Sequence, residues 1–363
     1  MVGGETTLAS DDAQSSRDLS TRTLIIASIA AVAALVIISM ATGATGISLG
    51  SLPGAISSLL GYSTSSSDAT AALVLLDLRL PRTLLAMFVG AALALAGAMM
   101  QGLFRNPLAD PGIVGVSSGA SLAAVSMIVL GNSVLGGWYQ FLGMFALPIS
   151  AFFGGLVATQ ILMVIASRHG TTAIATLLLA GIALGALTGA AMGILTYISD
   201  DRELRDLTLW SMGSLSGASW TKVIAIAPFA LVLTVMLPGL VRALNGLLLG
   251  EAEAFHLGID IETAKKKIVF LTAVAVGAAV AVAGIIGFVG IVVPHFVRMI
   301  TGPDHRTLLP VSALLGGALV MLADVISRII VAPAELPLGI IMAFIGSPVF
   351  LHLVLKRSSG VVM

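Results

Sequence analysis

The sequence contains no cysteine, which excludes disulfides and thiolate-held zinc or iron–sulfur centres. It is also poor in charge: Asp, Glu, Lys and Arg make up 10% of 363 residues, against about 25% in a soluble domain. So few charged groups cannot cover a water-soluble body of this size, so a soluble enzyme or nucleic-acid binder is excluded. The 18 basic and 18 acidic residues cancel, leaving no long-range attraction for nucleic acid. No G-x-x-x-x-G-K-[ST] phosphate loop occurs, so energy for any active process has to enter from a partner. What the chain does have is apolar surface. With 58% hydrophobic residues and a mean hydropathy of +1.08, its solvent is mostly lipid.

A membrane-crossing helix needs about 20 mostly apolar residues. Runs of that kind, separated by Gly, Pro and charge, lie at 24–41, 83–104, 114–130, 141–166, 176–198, 223–237, 268–282, 288–300, 309–331 and 338–355. The fold class is therefore an all-α polytopic membrane protein with about ten transmembrane helices, the short runs being compatible with half-helices. Residues 1–23, polar and rich in Ser and Thr, read as a disordered cytoplasmic tail, and 24–357 as a single transmembrane domain. A cleaved signal peptide starts basic, whereas here Glu5, Asp11, Asp12 and Asp18 accompany only Arg17 and Arg22, so the first run reads as a retained span.

With ten spans both termini share a side. Placing them in the cytoplasm puts twelve of the 18 basic residues inside and leaves six, Arg79, Arg82, Arg202, Arg205, Lys222 and Arg328, outside or near the outer ends. Away from the cytoplasmic helix ends the spans are almost free of ionisable residues; Asp324 and Arg328 are the exception, four apart on one helix face, where they can pair. Midplane charge is what an ion-coupled transporter needs, so proton or sodium coupling is disfavoured.

Gly115-Val-Ser117-Ser-Gly119 matches the G-x-S-x-G nucleophile elbow and raises an intramembrane serine hydrolase as a rival. That elbow requires a strand-to-helix turn, whereas this copy opens a membrane helix. The five histidines (His169, His256, His295, His305 and His352) all fall in cytoplasmic loops or helix ends. Gly181, Gly185, Gly189 and Gly193 recur every four residues, a stripe that serves tight helix packing, a widened translocation path, or both. The most polar cytoplasmic loop, 242–267, holds Gly250, Glu251, Glu253, Phe255, His256, Leu257 and Gly258, then Lys265, Lys266 and Lys267. Its charged and apolar positions alternate as in a short amphipathic helix, either a docking element for a soluble protein or an interfacial helix against lipid.

Several segments together carry a family resemblance. These are Arg79-Leu-Pro-Arg82, the run 97–112, Gly115 to Gly119, Gly287-Phe-Val-Gly290 with Val293-Pro-His295, Asp304-His-Arg306, 323–328 and Glu335-Leu-Pro-Leu-Gly339. In order and spacing they resemble the permease subunits of ABC importers for iron–siderophores, haem and vitamin B12, over roughly residues 70–355. The stretch 197–205 with Leu209-Trp-Ser-Met-Gly213 looks closest to the haem branch.

The resemblance implies a type II ABC importer permease fold in a bacterial inner membrane. It implies a homodimer with two ATPase subunits beneath and a periplasmic or lipid-anchored binding protein above. ATP and Mg2+ then belong to the ATPase, this chain has no catalytic residue or metal of its own, and haem or an iron chelate is cargo. Arg79, Arg82 and Arg328 would receive acidic residues of the binding protein, the 242–267 loop would be the ATPase coupling element, and Asn106 and Leu108 would narrow the cytoplasmic end of the path. No histidine falls in the outer path, and Met87, Met192, Met212 and Tyr197 read as packing residues, so the cargo is expected to slide past small apolar groups without axial ligation.

Overall fold

In a computed structural model that describes residues 4–43, 47–62, 65–168 and 170–359, the apolar runs are helices. In chain order these are α1 (Gly4–Ala41), α2 (Leu52–Leu59), α3 (Ser66–Ala72), α4 (Leu80–Phe104), α5 (Val116–Leu130), α6 (Gly136–Leu142), α7 (Ala146–Ala166), α8 (Ile174–Ile198), α9 (Asp201–Ser211), α10 (Trp220–Leu249), α11 (Glu251–His256), α12 (Ile261–Ala283), α13 (Val289–Thr301), α14 (His305–Ile329) and α15 (Leu338–Ser359). Two-residue strands, β1 (Ser167–Arg168) and β2 (Thr171–Thr172), pair antiparallel between α7 and α8. Among the described residues seven helical stretches are long and apolar enough to cross a membrane, and three shorter apolar helices match the remaining expected spans.

The bundle is organised around α4, which packs against α14, α12, α10 and α13. Small residues allow this. A Cβ on Gly90 would overlap the Gly316 carbonyl of α14, and one on Gly97 would overlap the Gly290 backbone of α13. One turn below Gly97, the buried Gln101 amide donates to the carbonyls of Gly290 (3.2 Å) and Ile291 (3.1 Å) in the first turn of α13, where Pro294 has no N–H to offer the Gly290 carbonyl. α4 and α14 run antiparallel: Arg82 near the start of α4 meets Asp324 near the end of α14, and Gly102 meets His305 at the start of α14. At about 1.5 Å rise per residue, the 25 residues of α4 span about 37 Å. The two ends of this pair therefore stand a membrane thickness apart.

Two sequence expectations are corrected. The run at 223–237 is the middle of a 30-residue helix, α10, which continues through Pro228 and Pro238; neighbouring helices compensate the lost hydrogen bonds of proline inside a bundle. The 242–267 loop is mostly helical, because Asp260 caps α12 by accepting from the Thr263 N–H (3.1 Å) and brings Lys265 into that helix. Residues 4–23 lie within the bounds of α1. Gly115, at φ 78°, follows a 3-10 turn (Pro111–Val114) and opens α5, so the elbow motif lacks its strand.

Candidate functional site

Polar side chains concentrate at the two ends of the α4–α14 pair. At the first end a π-helical stretch, Leu73–Arg79, joins α3 to α4 and delivers Arg79 one turn ahead of Arg82; such stretches recur at functional sites. The Arg79 guanidinium is buried over Gly43 and donates to the carbonyls of Met40 (2.7 Å) and Ile47 (2.9 Å), tying α4 to the end of α1.

Arg82 is held on both edges. Its Nε and Nη2 lie 2.9 and 2.8 Å from Oδ1 of Asp324. Its Nη1 and Nη2 reach Glu335 Oε1 and Oε2 at 2.7 and 3.0 Å. Asp324 also pairs with Arg328 (Nε to Oδ2, 3.1 Å), as the four-residue spacing predicts. Arg328 in turn donates to the Thr42 carbonyl (2.9 Å) and the Ser39 hydroxyl (3.0 Å). The three arginines named from sequence are thus brought together, but each is engaged by the chain's own groups. The Glu335 contact escaped sequence reasoning because 253 residues separate the pair.

At the other end, α10 and α12 flank α11, whose sides differ. Ala254 is buried against Ala243, Ile259 and Ala264, whereas Phe255 and Leu257 are 69% and 52% exposed. Gly250 (φ 127°) and Gly258 (φ 74°) break the chain on either side, in backbone regions that favour glycine. Glu253 and His256 share the exposed surface. Glu251 accepts from Lys265 Nζ at 2.8 Å. Lys265 is buried and also meets Glu262 (3.3 Å) and the Thr172 carbonyl (3.1 Å). Glu262 accepts the Thr172 N–H (2.9 Å). One ammonium therefore fastens α11, α12 and the β-hairpin that leads into α8. Sequence reading placed Lys265 in a solvated loop; the signal it missed was the Asp260 cap that starts α12 earlier.

Beside α11 lies the loop after α4. Arg105 takes a left-handed conformation (φ 49°) that ends α4, and its Nη1 would lie 3.8 Å from a Cβ on Gly250. Asn106 Oδ1 accepts the Leu108 N–H (3.1 Å) in a side-chain-closed turn. Asp110 then caps the 3-10 turn through the Gly112 N–H (2.5 Å). Burial raises the Asp110 carboxyl above its ordinary value, and the Gly112 bond opposes that. Across the same end, Asn245 of α10 donates to Asp304 (2.7 Å) and accepts from the His305 N–H (2.9 Å), cross-linking α10 and α14. Burial pushes the Asp304 carboxyl up, yet the bonds from Arg306 N–H and Asn245 carry it below its ordinary value.

The glycine stripe of α8 divides. Gly181 packs against the Ile113 carbonyl and Gly185 faces Ser118, while around Gly189 and Gly193 there is open space within this chain. A cavity of about 450 Å3 between Gly181, Asp110, Ser117, Phe288 and Gly290 has no histidine in its lining, so nothing there completes a serine nucleophile. His169 lies outside the described residues.

The profile of the FecCD transport family matches residues 23–356. The chain is 48% identical over 298 residues to the hemin transport system permease protein HmuU of Yersinia pestis, covering 82% of this chain and 87% of that one. It is 45% identical over 288 residues to the cobalamin import system permease protein BtuC of Halobacterium salinarum, covering 79% and 75%. Among solved structures, an inward-facing metal-chelate-type ABC transporter superposes with a TM-score of 0.79 at 31% identity, over 92% of this chain and 99% of that one.

Proposed function

The chain belongs to the FecCD transport family, and on that premise we propose that it is the membrane-spanning permease subunit of an ABC importer that carries haem, or a related iron chelate, inward. The observation that carries this reading is α11. A six-residue helix, clamped from behind by buried Lys265 and presenting Phe255 and Leu257 outward, suits a groove in a soluble ATPase better than a lipid surface, because the acidic Glu253 sits among the apolar groups. Exposed apolar groups at the end of a bundle mark a partner surface.

In this reading two copies assemble around a central path, with two ATPases below and a substrate-binding protein above. Both termini lie in the cytoplasm of a bacterial inner membrane. ATP-driven approach of the ATPases moves the two α11 elements together. Each pulls on α12 and on the hairpin before α8 through Lys265, and the halves tilt between two packed arrangements. Asn106 and Leu108, next to α11, narrow the inner end of the path. At the outer end Arg82, flanked by Arg79 and Arg328, receives carboxylates of the binding protein, since a guanidinium stays charged and grips a carboxylate with two parallel bonds. Vitamin B12 is the second reading, favoured by 45% identity to a cobalamin permease.

Reconstitution tests the function. Haem uptake into proteoliposomes is expected to require ATP, the ATPase subunit and the binding protein, and unlabelled haem should compete better than cobalamin. Uptake driven by a pH gradient with this chain alone would overturn the importer reading. A sharper expectation concerns Lys265→Met, which replaces the ammonium with an apolar group of similar length. Its carboxylate partners are partly exposed, so the folding cost is about 1–3 kcal/mol and the variant should assemble. Transport per ATP hydrolysed should fall about tenfold, the scale of a typical coupling free energy. An unchanged ratio, measured for both quantities on one preparation, would leave Lys265 a purely structural role.

A further inference from the structure

The outer arginine cluster contains one group that docking does not use, Glu335. We propose that Glu335 is a built-in stand-in for the partner's carboxylate: it occupies the outer edge of Arg82 while the permease is unengaged, and an acidic group of the binding protein displaces it. The proposal rests on the docking reading above.

The two carboxylates on Arg82 are not equivalent. Asp324 is 1% exposed, sits on α14 and also holds Arg328, so its departure would strand two guanidiniums. The Glu335 side chain is 35% exposed and belongs to the irregular connection between α14 and α15. It grips Arg82 end-on with both oxygens, at 2.7 and 3.0 Å, the geometry any incoming carboxylate would adopt. Its backbone is anchored just downstream, where Leu336 N–H donates to Ser327 (3.1 Å) and Leu338 N–H to Gly213 (2.9 Å). The side chain can therefore swing away without the chain following it. An ion pair this exposed is weak and screened, whereas Asp324 is fixed.

Pairing favours the same exchange. Replacing one carboxylate with another keeps Arg82 paired throughout and avoids the cost of an unpaired buried guanidinium. Because Glu335 competes for the site, it lowers the apparent affinity of the partner by the fraction of permease in which Arg82 is occupied. Its return to Arg82 would also assist release after delivery.

The test is binding of the purified substrate-binding protein of the same transport system to the permease–ATPase complex in lipid nanodiscs, with and without cargo. Glu335→Gln and Glu335→Ala are expected to bind it about two- to fivefold more tightly than wild type. Unchanged or weaker binding in variants that elute as intact complex would overturn the proposal. Failure of both variants to assemble would overturn it too, by assigning Glu335 to the fold. Arg82→Gln separates the two levels: if it leaves affinity unaltered, the docking reading itself fails, whereas a loss with Arg82→Gln and no gain with Glu335→Gln rejects only the stand-in.

Discussion

Asp324→Ala is expected to destabilise the protein by about 3–5 kcal/mol, enough to reduce recovery of folded material from the membrane and to lower its unfolding midpoint. The carboxylate is buried and lies between two guanidiniums, 2.8 Å from Arg82 and 3.1 Å from Arg328. Removing it leaves those cations facing each other in a low-dielectric setting, with Glu335 holding only the outer edge of Arg82. The Arg328 bonds to Ser39 and Thr42, which pin the end of α1 to α14, lose their counter-charge as well. Asp324→Asn keeps an acceptor for Arg82 Nε and should lose less. Asp324→Ala combined with Arg328→Leu should recover part of the loss, because one of the two stranded cations is gone, and contacting residues are not additive. Thermal unfolding in detergent measures all four proteins. A wild-type midpoint for Asp324→Ala would show that the network does not hold this end of the bundle together.

The same network marks where sequence reading stops. Asp324 and Arg328 are legible because a helix brings residues four apart onto one face. Arg82 and Glu335 are not, because no local period relates positions 242 and 253 residues distant. The spans were legible for a related reason: a bilayer requires about 20 apolar residues in a row, a strong one-dimensional signal. The signal weakened where the chain uses a turn-former inside a helix. Pro238 reads as the end of a span, yet α10 runs on to Leu249. Lys265 reads as a solvated cation until the Asp260 cap places it in α12 against Glu251. Arg79, Arg82 and Arg328 are readable as exceptions to the charge asymmetry, but their internal partners are not. Arg79 in particular lies buried against the end of α1, so as the chain stands Arg82 is the arginine whose outer edge a partner can reach.

Gly97→Val is expected to prevent folding, and Gly97→Ala to cost about 1–3 kcal/mol, the range for an overpacked core. Two effects oppose each other at this position. Alanine is the better helix former by about 1 kcal/mol, and Gly97 lies in the middle of α4. Against that, a Cβ would overlap the carbonyl oxygen, carbonyl carbon and Cα of Gly290, all backbone atoms that cannot turn aside like a side-chain end. Relief requires α13 to move away from α4, which stretches the Gln101 bonds to Gly290 and Ile291 from 3.2 and 3.1 Å. Gly290 cannot retreat freely, since a Cβ placed there would already meet Pro111 and the Leu93 carbonyl. The steric cost therefore outweighs the propensity gain, and the larger Val side chain has nowhere to go. Gly193→Ala is the matched control, because the space around Gly193 is open within this chain and the propensity term stands alone there. Size-exclusion profiles and unfolding midpoints of the two alanine variants should diverge, Gly193→Ala matching or exceeding wild type and Gly97→Ala falling below it. Equal midpoints would mean that α4 and α13 do not approach as closely as Gly97 and Gly290 allow.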